Sequence, residues 1–310
     1  MKELSVLYYI ERYRDRALSL GGSAVIREAE ASDFALPRRD PVAHKYRFGR
    51  ALVIAGSRGY SGAPVLTANA CERGGAGLTH LTVPESIYEI AAARCDGAVV
   101  TPLPADGAGG FSAEAVPRVL AQLKKAQACV IGPGLGTGAG AGELVRAVLC
   151  EAACPLVLDA DALNLCAGDR GLLDACRAPL LLTPHEGEFK RLGGDLTEGR
   201  LAGALHFAQT HPHAILILKG WGTLVCRGTE LSVNPTGGPA MAKGGAGDVL
   251  CGVLCALLAQ GFEPWLAARC AVYLHGLSGD LAAAELGEYS LAPSDLIRFL
   301  PQAMKTIAAR

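Results

Sequence analysis

From residue 41 onward, short apolar runs alternate with longer amphipathic ones. The short runs predict strands over 51–55, 78–83, 98–101, 128–131, 156–158, 180–182, 215–218 and 223–226. The longer ones predict helices over 63–74, 87–93, 113–125, 142–152, 161–165, 185–192, 201–210, 248–260, 265–285 and 293–310. Such alternation implies a central, mostly parallel sheet with helices on both faces. The strand runs are apolar throughout, as strands buried on both sides are. Residues 1–40 are more polar and charged, and read as a helical or loosely docked extension. Arg38, Arg39 and Asp40 before Pro41 mark its end, so the expected organisation is an extension over 1–40 and one α/β domain over 41–310.

Composition narrows the class. With 310 residues, 50% of them hydrophobic, the chain can bury a sizeable core and is not a disordered one. A net charge of -1 gives no electrostatic case for nucleic acid or an anionic membrane. The apolar run over 249–259 falls short of the roughly 20 residues that a membrane span needs. The N-terminus lacks the pattern of a signal peptide. The 11 cysteines form no Cys-x-x-Cys pair. Cys150 and Cys154, like Cys251 and Cys255, are four apart in apolar helical segments, which predicts buried reduced thiols and a cytoplasmic location.

Candidate chemistry concentrates at the predicted strand ends, where open α/β sheets bind ligands. The strongest signal is the stretch 234–248, Asn-Pro-Thr-Gly-Gly-Pro-Ala-Met-Ala-Lys-Gly-Gly-Ala-Gly-Asp, which opens the apolar helix that follows. Gly244, Gly245 and Gly247 before a helix present free N–H groups and the positive end of the helix dipole, an anion site. Asp248 would repel an anion there, so it reads as a general base or as a plain N-cap. Gly56, Gly59 and Gly62 match neither the dinucleotide fingerprint nor the P-loop, but leave a surface on which Tyr60 can stack. A Gly-Pro-Gly-Leu-Gly turn fills 132–136. Asp159 and Asp161 can orient a hydrated Mg²⁺, or one of them caps a helix. In Thr-Pro-His-Glu-Gly-Glu at 183–188, Thr183 as cap and Pro184 as first helical residue explain everything except His185, a substrate contact. Lys219 in Lys-Gly-Trp-Gly-Thr suits a nucleotide phosphate, or is an exposed hairpin lysine.

Taken in order, these motifs resemble one family. The set is His44-Lys45, Phe48-Gly49, Ala55-Gly-Ser57, Gly62-Ala63, Gly74 to Leu78, the turn at 132–136, Leu-Asp-Ala-Asp-Ala-Leu-Asn at 158–164, the 183–188 segment, Lys219 to Thr223, and Gly244 to Asp248. It is similar to the ADP/ATP-dependent NAD(P)H-hydrate dehydratases of the ribokinase-like superfamily, over about residues 40–300. The resemblance implies a three-layer α/β/α fold. It implies nucleotide-driven dehydration of the S-epimer of NADH hydrate and NADPH hydrate, with ADP or ATP and Mg²⁺, in a homo-tetramer. Ala63, Gly134, His185 and Asp248 would contact the hydrate. Lys219, Gly220, Trp221, Gly222, Thr223, Gly244, Gly245 and Gly247 would hold the nucleotide. Asp248 would deprotonate the hydroxyl that is phosphorylated. The chain departs from the family at Gly238-Pro-Ala240, where Asn-Pro-Gly is common, and at Ala246, where Thr or Ser is common; Lys243 could supply compensating charge. Many bacterial members also carry an epimerase domain, for which 40 residues are too few. The rival readings are a kinase of the same superfamily acting on a vitamin-precursor alcohol, and a non-catalytic nucleotide sensor.

Overall fold

The computed structural model describes residues 24–169 and 171–308. The strands are β1 Val25–Glu28, β2 Arg50–Ile54, β3 Leu78–Pro84, β4 Val99–Leu103, β5 Ala128–Ile131, β6 Leu156–Leu158, β7 Leu180–Leu182, β8 Ala214–Leu218, β9 Leu224–Arg227 and β10 Glu230–Val233. The α-helices are α1 Gly62–Arg73, α2 Tyr88–Arg94, α3 Val116–Leu123, α4 Ala139–Glu151, α5 Ala160–Ala167, α6 Gly171–Ala175, α7 Glu186–Arg191, α8 Arg200–Thr210, α9 Ala246–Ala259, α10 Pro264–Leu286 and α11 Pro293–Ile307.

All ten strands form one sheet in the order β1-β10-β9-β8-β7-β6-β5-β2-β3-β4. Only β9 runs against its neighbours. Side chains alternate across the pleat, so the sheet feeds two cores. Ile54, Ile131, Leu158 and Leu182 belong to the core that includes α4 and α8. Val53, Val130, Val157 and Leu181 belong to the core that includes α1, α9 and α10. This is the three-layer α/β/α arrangement.

Register aligns the site. Ile54 pairs with Ile131, Ile131 with Leu158, Leu158 with Leu182, and Leu182 with Leu216. The residues just beyond these strands therefore lie level along one edge of the sheet. They include Gly132, Asp159 and Thr183.

The structure departs from the pattern at the N-terminal side. The described part of the 1–40 segment adds no α-helix, only a single 3-10 turn over Ala31–Asp33, and is not loosely docked; residues 1–23 lie outside the described residues. Val25–Glu28 pairs in parallel with β10 as an edge strand. Asp33 accepts a hydrogen bond from Arg269 Nη2, Arg269 Nε donates to Ser232 Oγ at 3.1 Å, and Leu36 N–H donates to the Ile307 carbonyl at 3.0 Å. These contacts join residues far apart in sequence, which no local window reveals. All 11 cysteines are free, and they are buried except for half-buried Cys95 and exposed Cys150.

Candidate active site

The Gly244–Asp248 segment closes one wall of a cavity of about 640 Å³. Gly245 is the N-cap of α9, with φ of 98°, a conformation that a side chain disfavours. A Cβ on Gly247 would stand 3.3 Å from Lys219 Nζ, so this glycine lets the lysine approach the helix end. Gly244 meets no protein atom that would exclude a side chain, so packing does not account for its bareness. Asp248 lies in the first turn and does not cap the helix. The N-cap reading of Asp248 therefore falls.

Asp248 is half-buried in the cavity wall. Burial, reinforced by the negative charge of Asp159, pushes its carboxyl up to about 7, and Lys219 pulls the other way. Asp159 is 2% exposed and its Oδ1 is shared by two donors, Lys219 Nζ at 2.7 Å and Thr183 Oγ1 at 2.7 Å. Lys219 Nζ also stands 3.8 Å from Glu188 Oε2. Burial alone would lower the lysine's pKa, but Asp159 and the other negative neighbours outweigh it and raise the value. Lys219 is thus not an exposed hairpin lysine. It is a cation locked between two carboxylates, beside Gly247. Asp159 occupies the N-cap position of α5 without a capping bond, and Ala160 follows it at φ 47°, strain of about 1–3 kcal/mol beside the locked pair.

The 183–188 segment is built differently from the pattern's expectation. Thr183 does not cap α7; its hydroxyl serves Asp159. His185 is the cap. Its Nδ1 accepts from Gly187 N–H at 2.9 Å and Glu188 N–H at 3.3 Å, and Glu188 Oε2 accepts from His185 N–H at 2.8 Å. With Nδ1 accepting, the ring proton of the neutral imidazole sits on Nε2, which stands 3.5 Å from Glu188 Oε1 on an exposed side chain at the cavity.

Not every expected residue lines this cavity. Lys219, Gly220, Trp221, Thr223, Gly244, Gly245, Gly247, Asp248 and His185 do. Ala63 and Gly134 lie outside its wall but against each other, since a Cβ on Gly134 would meet Ala63 Cβ at 3.1 Å and Tyr60 Cβ at 2.9 Å. Gly222 is buried in the turn. Lys243 donates to the Tyr289 carbonyl at 2.7 Å, so its ammonium already serves a loop. His275, which no motif marked, lines the cavity; burial pushes its imidazole down to about 4, so it is neutral near pH 7. Cys251 lies 3.7 Å from Thr183 Oγ1, and burial raises its thiol well above the ordinary value, so it is inert packing.

The donor set does not form a cage for Mg²⁺. Asp161 Oδ2 accepts from Gly136 N–H at 2.8 Å and Oδ1 from Asn164, so that carboxylate braces the 132–136 turn. Asp159 is taken by Lys219 and Thr183. Among the described residues, no group of three or more His, Cys, Asp or Glu stands together as metal ligands.

Comparisons with known proteins show the family. The model of the NAD(P)H-hydrate dehydratase family matches residues 51–302. The bifunctional NAD(P)H-hydrate repair enzyme of Moorella thermoacetica is 39% identical over 277 residues, 88% of this chain and 52% of that protein. The chain spans about half the length of the curated relatives it matches. A ribokinase-like protein from Enterococcus faecalis superposes with a TM-score of 0.80 at 29% identity, covering 91% of this chain and 96% of that one. The ADP/ATP-dependent NAD(P)H-hydrate dehydratase of Bacillus subtilis, co-crystallized with ATP and Mg²⁺, superposes with a TM-score of 0.76 at 30% identity, covering 89% and 96%.

Proposed function

The chain belongs to the NAD(P)H-hydrate dehydratase family, and we propose that it uses ADP or ATP to dehydrate the S-epimer of NADH hydrate and NADPH hydrate. The observation that carries this reading is Asp248, a carboxylate raised to about 7 beside the free N–H groups of α9. A base is most effective with a pKa near the working pH.

In this reading the ring hydroxyl enters between Asp248 and the Ala63–Gly134 contact. Asp248 takes its proton, and the oxygen attacks the terminal phosphoryl group of the nucleotide. The N–H groups at the start of α9 receive the charge on the transferred group. Phosphate then leaves with the C–O electron pair and the adjacent ring carbon loses a proton to solvent, which restores the ring double bond; hydroxide, a poorer leaving group, would depart far less readily. The turn from Lys219 to Thr223 would hold the nucleotide, and Mg²⁺ bound to its phosphates would offset their negative charge. Among the described residues no cluster of side chains forms a cage for the metal. No helix among the described residues is long and apolar enough to cross a membrane; free cysteines suit a reducing compartment, and we place the enzyme in the cytoplasm.

The test is hydrated NADH with ADP or ATP and Mg²⁺, followed by the return of reduced-nicotinamide absorbance. Asp248→Asn is expected to keep nucleotide binding and lose roughly 10²–10⁴-fold in rate. Accumulation of a phosphorylated alcohol with no restored NADH would establish a kinase instead.

A further inference from the structure

The turn between β8 and β9 rests on a residue that the reaction scheme does not use. Arg200, the first residue of α8, directs its guanidinium into that turn. Its Nη1 donates to the Trp221 carbonyl at 2.6 Å. Its Nη2 donates to the Leu218 carbonyl at 3.3 Å and the Lys219 carbonyl at 3.2 Å. Its Nε stands 3.0 Å from Glu186 Oε1, an ion pair whose line does not suit a hydrogen bond. A Cβ on Gly220 would fall 2.7 Å from Nη2, so the guanidinium occupies the space that glycine leaves. Arg200 is 15% exposed at its side chain and Glu186 is 51% exposed, so the cation is held mainly by carbonyls and not by a buried partner. Glu186 follows His185 directly. One guanidinium thus joins the turn from Lys219 to Trp221 to the segment that carries His185.

We propose that Arg200 is a positioning residue for the nucleotide. It fixes the turn in the shape that receives the adenine nucleotide, and it ties that shape to the His185 segment through Glu186. The proposal rests on the nucleotide role assigned to Lys219, Gly220, Trp221 and Thr223 above. The physical reason is preorganisation: a turn already held in its binding shape loses less freedom when the ligand arrives. A planar fork reaching three carbonyls is beyond a lysine ammonium, which acts as a compact charge.

The experiment compares the parent chain with Arg200→Ala, Arg200→Lys and Glu186→Gln. Calorimetric titration with ADP gives Kd, steady-state kinetics on hydrated NADH give KM and kcat, and thermal melts report folding. Arg200→Ala is expected to raise Kd and KM for ADP roughly tenfold, the effect of losing hydrogen bonds to a charged donor, with kcat and the KM for the hydrate changed by less than about twofold. Arg200→Lys should recover only part of the affinity, and Glu186→Gln should cost less than Arg200→Ala. If Arg200→Ala does not fold, Arg200→Lys carries the test. Unchanged ADP affinity in a folded variant overturns the proposal, as does an equal loss in kcat and in affinity for both ligands. A parent that binds ADP in an Arg200-dependent way but leaves hydrated NADH untouched sustains the proposal and sinks the dehydratase reading. A parent that dehydrates while Arg200→Ala binds ADP normally does the reverse.

Discussion

Asp248 and Lys219 come from different segments, yet the lysine's charge helps set the protonation of the carboxyl. Burial and Asp159 favour the neutral form of Asp248, while Lys219 favours the carboxylate. As a general base Asp248 works only when deprotonated, so kcat/KM is expected to rise with pH through about 7. Lys219→Met removes the group that lowers this pKa and should move the rise to higher pH. It also leaves Asp159 buried without its cation, a loss of about 3–5 kcal/mol by denaturant titration. A pH profile that stays in place in Lys219→Met would show that Lys219 does not tune the base. Stability carries the opposite sign. The folded pKa lies above the reference value of 3.8, so the stabilising contribution is complete below about 3.8 and is lost as pH rises through about 7. Asp248→Asn should therefore be more stable than the parent above about pH 7, with the difference closing toward 3.8.

The helices that carry Asp248 and Ala63, α9 and α1, pack side by side. A Cβ on Gly245 would meet Leu66, one on Gly252 would meet Thr67 O at 2.3 Å and Ala70 Cβ at 2.7 Å, and one on Gly74 would meet Ala256 Cβ at 2.7 Å. Contacts ascend together along both chains, so α1 and α9 run parallel with both N-termini at the site. In an open helix interior, Gly→Ala stabilises by about 1 kcal/mol. Here the sign reverses, because the methyl group meets backbone: Gly252→Ala should cost about 1–3 kcal/mol and lower kcat by displacing Asp248 relative to Ala63. A variant more stable than the parent would mean that the helices have room to spare. These elements were legible because their signals are local. The runs at β5, β6 and β7 are apolar in every position because both faces are buried. Glycine runs likewise marked the wall of the cavity, which Gly244, Gly245 and Gly247 line. Arg200 and His275 were not legible, since each is one polar residue on an ordinary helix and gains its meaning from partners elsewhere. β10 had an unread signal, the Gly228-Thr229 turn that closes a hairpin from β9. β1 had none. Its Val-Ile-Arg-Glu sequence is half-exposed at the sheet edge, and it pairs with a strand some 200 positions away.

That edge matters to the whole molecule because it backs the turn proposed to hold the nucleotide. Thr223 ends the turn, and its carbonyl accepts from Asn234 N–H at 2.9 Å, just past β10. β10 is covered in turn by β1, with Val25 N–H donating to Thr229 O at 3.0 Å and Ala29 N–H to Val233 O at 2.9 Å. Arg269 clamps the assembly: it is 7% exposed, pairs with Asp33 and Ser232, and stands over the Phe34 ring. A chain starting at residue 41 would keep every residue assigned to the site but strip β1 and Asp33 from this edge. It would leave a buried guanidinium without its carboxylate, a loss of about 3–5 kcal/mol, and an open strand prone to pairing with other chains. Denaturant unfolding and light scattering should show a less stable, more associating protein. ADP affinity should fall as well, because the strand pair behind Thr223 has lost its outer support. Asp33→Ala separates the two effects: it should reproduce most of the stability loss while β1 keeps β10 covered and ADP affinity near that of the parent. A truncated chain as stable as the full one would mean that the edge strand is an accessory, and that the turn is held from the Arg200 side alone.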